Sequence, residues 1–78
     1  MPTVLGAGPC RFFFYSNEGD EPVHVHVRRD RGLAKIWLDP ISIASSANFA
    51  SHELREIRAL VLQHRPEFLE AWNEHFGR

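Results

Sequence analysis

The chain predicts an α+β fold, a small antiparallel sheet of three to four strands packed on a C-terminal helical region. Three observations predict it. The segment Val23-His24-Val25-His26-Val27-Arg28 alternates strictly between apolar and polar residues, the period of a half-buried strand. The run Arg11-Phe12-Phe13-Phe14-Tyr15 is aromatic, and aromatic side chains favour strands. From Ser51 onward Leu54, Ile57, Val61, Phe68, Trp72 and Phe76 recur on or near one helical stripe, with Leu60, Leu62 and Leu69 widening it. No repeat, low-complexity tract or linker divides the 78 residues, so they make one domain, 1–78.

Thr3-Val4-Leu5 is a candidate short edge piece, and Gly6, Gly8 and Pro9 punctuate the start of the first full strand. That strand is expected from about Cys10 to Ser16. Asn17-Glu18-Gly19-Asp20-Glu21-Pro22 is polar and rich in turn formers, hence a loop. The second strand, Val23 to Arg28, sets Val23, Val25 and Val27 on one side and His24, His26 and Arg28 on the other. Asp30-Arg31-Gly32 is a turn into a third strand, Leu33 to Leu38, closed by Asp39-Pro40. Ile41-Ser42-Ile43 alternates again as a short fourth strand, and the small, polar stretch from Ala44 to Ala50 is expected to be a loop.

The helical region opens at Ser51, a candidate N-cap, with Glu53 suited to the positive end of the helix, and stops at Gly77. Pro66 removes one backbone hydrogen bond and clashes with the carbonyl of Leu62. The expectation is a kink there, or two helices over Ser51–His64 and Pro66–Phe76.

A domain of this length buries only about 60–65% of the surface of its unfolded chain. A single cysteine, Cys10, excludes an internal disulfide framework and any CxxC metal site, and its default role is a buried small residue. Stability must come from an aromatic core or from a second chain. Phe12 and Phe14 point one way and Phe13 and Tyr15 the other; Ile36 and Leu38 likewise oppose Trp37. Two apolar sheet faces need two covers. The helical region supplies one. The other cover is a partner chain, a second copy included, or the N-terminal segment or second helix folded back.

Nine Lys plus Arg against ten Asp plus Glu argue against a general polyanion binder, though not against a local basic patch. No apolar run approaches the roughly 20 residues of a membrane span. Met1-Pro2-Thr3 does not read as the opening of a signal peptide, so the expectation is a soluble, cytoplasmic domain.

His24 and His26 lead the candidates for chemistry. Two apart on a strand, their rings emerge on one face roughly 6–7 Å apart. Such a pair can act as acid and base, can share a metal, or can pack against the aromatic strand. A metal needs further ligands, and Asp20, Glu21, His52 and His64 are available without diagnostic spacing, so no metal or other cofactor is assigned. Arg28 shares the face of the histidines. Histidines beside an arginine suit RNA backbone cleavage: one group takes the 2′-hydroxyl proton, another protonates the leaving oxygen, and arginine stabilises the phosphorane. His24, His26 and Arg28 are therefore the catalytic candidates. Arg29, Arg31 and Lys35 extend the basic cluster, Tyr15 and Trp37 offer rings for base stacking, and Glu21 lies in the acidic loop with Glu18 and Asp20. The plain alternatives are a charged hairpin whose cations protect a sheet edge, and a solvated loop. His64 and Arg65 read as surface or interhelix contacts, and Trp72 as core.

The stretch from Phe12 through the acidic loop to Pro22-Val23-His24-Val25-His26-Val27 resembles a family of short bacterial and archaeal proteins, domain of unknown function 4160. Members show an aromatic strand, a short acidic loop and a Pro-x-His-x-His strand. They close on a helix much like Gln63-His64-Arg65-Pro66-Glu67-Phe68-Leu69-Glu70-Ala71-Trp72-Asn73, and Met1-Pro2-Thr3-Val4 also resembles their opening. Many members have two prolines before the first histidine, where this chain has Pro22-Val23, and a helix-capping serine where it has Ala50. Genes of the family often adjoin a gene for a second small protein. The resemblance thus implies a toxin–antitoxin pair with this chain as the toxin and an antitoxin-like small protein as its cognate partner. Three functions are expected to compete: partner binding with an RNA-directed activity behind it, a metal-independent ribonuclease, and a His-x-His metal-binding domain.

Overall fold

The structure is a computed structural model that describes residues 3–15 and 19–77. Ser16, Asn17 and Glu18, at the expected end of the first strand and in the acidic loop, lie outside the described residues, as do Met1 and Pro2. The architecture is α+β: strands β1 (Thr3–Ala7), β2 (Cys10–Phe13), β3 (His24–Arg29), β4 (Gly32–Leu38) and β5 (Ile41–Ala47), then helix α1 (Ser51–Phe76). The sheet is a five-stranded antiparallel meander in the order β1-β2-β3-β4-β5. Each strand pairs with its chain neighbour, the arrangement of consecutive hairpins.

The strand count corrects the expected three to four. Thr3–Leu5 grows into a full edge strand, and the expected loop from Ala44 continues β5 as far as Ala47. Ser45, Ser46 and Ala47 pair with Lys35, Ala34 and Leu33. Backbone hydrogen bonds hold this stretch in the sheet although its side chains bury little. A register shift between Lys35 and Ile36 breaks the alternation of β5. The aromatic strand, in contrast, is shorter than expected, with Phe14 and Tyr15 beyond its end.

Cross-strand pairing sorts the side chains. Phe12, Val27 and Ala34 share one row, and Val25 and Ile36 the next. With Cys10 and Leu38 they form a core closed by Ile57, Val61 and Phe68 of α1. Phe12 and Phe68 meet with ring centroids 5.2 Å apart. Each such fully buried side chain contributes about 1.5–3 kcal/mol.

Helix α1 runs unbroken through Pro66, which corrects the expected division into two helices at that point. Pro66 and Leu62 are both exposed, so the carbonyl deprived of its partner can bond water. One residue earlier, Arg65 donates from Nε to the Leu38 carbonyl at 2.6 Å and tethers the helix to the end of β4. The N-cap is Ala50, not Ser51. Its N–H donates to the Glu53 carboxylate at 2.8 Å, half of a capping box. Gly77 ends the helix at φ 71°, a left-handed conformation that a residue without Cβ adopts freely. No helix among the described residues is long and apolar enough to cross a membrane.

Candidate functional site

The second sheet face carries the histidines. Phe13, His26 and Lys35 form one cross-strand row, and His24 faces Trp37. The valines of β3 point to the helix and both imidazoles to the opposite face, as the alternation predicts. The rings lie closer than the ideal strand rise suggests, with centroids 5.1 Å apart and planes at 88°.

This face is not bare. His26 stacks on Phe13 at 5.4 Å and takes the edge of Tyr15 at 4.8 Å. His24 lies against Trp37 at 5.5 Å and Trp72 at 5.0 Å. Because β2 ends at Phe13, the last turns of α1 reach past it: Phe14 meets Trp72 and Phe76, and Trp72 passes on to His24. His24 is fully buried and His26 only 9% exposed. The Nδ1–H of His24 donates to the Pro22 carbonyl at 2.9 Å, which fixes the ring at the mouth of the loop.

Lys35 continues the row into solvent. Its Nζ sits 4.6 Å from the centre of the Trp37 ring and 2.5 Å from the Glu21 carboxylate. This ion pair ties the end of the acidic loop to the open face. Beside it runs a groove of about 300 Å³, lined by Tyr15, His26, Leu33, Lys35, Ser45 and Ser46.

Six of the nine residues singled out from sequence thus come together: Tyr15, Glu21, His24, His26, Lys35 and Trp37. Arg28 shares their face but lies outward, exposed, opposite Leu33 at the rim of the groove. Arg29 turns to the helix side and pairs with Glu53 and Glu56 at 4.0 and 3.7 Å. Arg31 sits in the β3–β4 turn, where its carbonyl accepts a bond from Asn48 Nδ2. Among the described residues no three His, Cys, Asp or Glu side chains gather as a metal site. Of the further metal-ligand candidates, Glu21 is engaged by Lys35, and His64 donates to Glu67 at 3.1 Å.

Sequence reasoning missed Arg11. It stands directly across from Arg28, both exposed and neither in an ion pair among the described residues. Its signal was the alternation of Arg11, Phe13 and Tyr15, which places it on the histidine face. Cys10 is buried behind this strand. Burial pushes its thiol pKa up, Arg29 draws it down, and Glu56 and Glu53 push it up further.

No curated protein and no solved structure matches the chain. A family model, Domain of unknown function (DUF4160), matches residues 10–73, from the start of β2 nearly to the end of α1. The match spans the aromatic strand, the histidine strand and the helix that closes on both, and the chain belongs to that family.

Proposed function

We propose that this chain is the toxin-like member of a toxin–antitoxin pair and works by binding a cognate small protein on its open sheet face. One observation carries the reading. His24 is sealed among aromatic rings and His26 reaches the groove only with its edge, while the groove presents Tyr15 and Leu33, 39% and 38% exposed, with Lys35 and hydroxyls around them. A fully buried imidazole whose Nδ1–H is held by a backbone carbonyl supports a surface better than it serves an incoming substrate. A mixed apolar and polar groove flanked by cations is the surface of a recognition site. The test is co-expression with the product of the adjoining gene, followed by mass measurement in solution. A stable heteromeric complex is expected. A chain that stays alone at micromolar concentration rejects the reading.

A second reading, an RNA-directed activity, draws on Arg11 and Arg28. Arg11 and Arg28 stand at directly opposite positions of β2 and β3, a like-charge pairing that costs stability and that a bound anion relieves. A phosphate there would leave the neighbouring nucleotide over His26 and Tyr15 at the groove. Incubation of purified protein with total RNA tests it, with Arg28→Ala as the control. Cleavage or retention lost in that variant supports the reading, and unchanged RNA across metals and pH removes it.

A further inference from the structure

We infer that the free edge of β5 is a docking site for an extended, acidic segment of a partner protein, added to the sheet as a further strand. The inference rests on the partner-binding reading and specifies where and how the partner binds.

β5 is the last strand of the sheet, so its outer edge is unpaired. From Ile41 to Ala47 it carries no charge and no proline, two devices that block pairing at natural edges. The pairing pattern shows which backbone groups are on offer. The Leu38 N–H donates to the Val23 carbonyl at 3.1 Å, toward β3. Ile36 and Ala34 therefore also turn their backbone groups to β3, and Leu33, Lys35 and Trp37 turn theirs to β5. Their partners Ala47, Ser45 and Ser42 bond inward, which leaves Ile43 and Ser46 directing N–H and C=O to the free edge.

An added strand sends alternate side chains to the two faces of the sheet, and β5 has room on both. The groove of about 300 Å³ reaches it on the histidine face. A second groove of about 390 Å³ lies on the helix side, lined by Pro40, Ile41, Arg58, Leu62 and Arg65. Among the described residues, three of the four large exposed apolar ones, Leu33, Ile43 and Leu62, flank this edge, and Leu62 is 61% exposed.

Charge decides the occupant. The helical period puts Arg55, Arg58 and Arg65 with Leu62 on the flank of α1 beside β5, and Glu56, Glu67, Glu70 and Glu74 on the opposite flank. Arg65 is engaged with Asp39, while Arg55 and Arg58 make no ion pair among the described residues. Two-fold pairing of β5 with a second copy would bring this cationic flank against itself. A segment alternating apolar and carboxylate side chains meets only complementary groups.

The test uses the whole chain and a synthetic peptide that alternates Val with Glu over the length of β5, beside the same peptide with Lys for Glu. Backbone amide NMR and hydrogen exchange are read. The Glu peptide is expected to shift the amides of Ile41–Ala47 and to protect those of Ile43 and Ser46, and the Lys peptide to leave them unchanged. Ser46→Pro removes one outward N–H without a β4 bond and is expected to abolish binding. Arg58→Glu, an exposed substitution that leaves the fold intact, is expected to weaken it on the order of tenfold. Equal binding of both peptides, shifts confined to β1, or β5 shifts that follow only protein concentration overturn the inference. So does a cognate complex that forms unchanged with both folded variants, although partner binding then stands. Glu-peptide binding in a chain that takes no cognate partner upholds the edge site and removes the toxin–antitoxin reading.

Discussion

His24 and His26 meet edge to face with centroids 5.1 Å apart, and between them they touch Phe13, Tyr15, Trp37 and Trp72. The pair is the centre of a second aromatic layer, on the sheet face that α1 does not cover directly. A short chain without disulfides gains a second buried face in this way.

His24→Ala is expected to cost about 2–4 kcal/mol, because its fully buried ring leaves a cavity between the two tryptophans. Urea denaturation measures it. A loss below about 1 kcal/mol would show that the ring packs loosely.

Pro66→Ala restores a helix hydrogen bond to the Leu62 carbonyl and relieves a steric clash. Since α1 is already continuous and Pro66 is exposed, the variant is expected to be more stable by about 1–3 kcal/mol. An unchanged or lower melting temperature contradicts an unbroken run of helix through this point.

Gly32 packs under Phe49, whose ring stands where a Cβ would be. Gly32→Ala is expected to destabilise by about 1–3 kcal/mol. Added to Phe49→Ala, it is expected to cost less than it does alone, because the ring that blocks it is gone. Additive losses in the double-mutant cycle would place the two residues apart.

Burial raises the pKa of Cys10 in the folded chain, so the unfolded chain releases its thiol proton at lower pH than the folded one. This stability is fully present below the ordinary thiol range and is lost as pH rises from there through the raised value of the folded chain. Urea midpoints are expected to fall more steeply above about pH 8.5 in the native sequence than in Cys10→Ala. Parallel pH profiles would place the thiol in solvent. Alkylation of the folded protein is likewise expected to be slow until it is denatured.

The elements legible in sequence were those whose period comes from burial. Val23 to Val27 alternates because the valines meet α1 and the histidines meet aromatic rings, and Ile57, Val61, Phe68 and Trp72 recur because they face the sheet. β5 hid its second half. Ala44, Ser45, Ser46 and Ala47 are exposed, so burial leaves no trace in their order, and the register shift breaks the period of two. The alternation of Arg11, Phe13 and Tyr15 puts Arg11 on the histidine face, but its place opposite Arg28 is a relation between strands that no local window holds. Pro66 does not divide the helix, because Ile57 and Val61 before it and Phe68 after it pack into the same core and hold both sides against the sheet.

The most direct test of the account is the variant His26→Phe, co-expressed with the adjoining gene product. A phenyl ring keeps the stack on Phe13 and the edge contact with Tyr15 but cannot carry a proton. The account predicts a heteromeric complex of the same mass and affinity as with the native chain. Loss of the effect on growth in a variant that still forms the complex and melts at the native temperature would show that the imidazole does chemistry and contradict it.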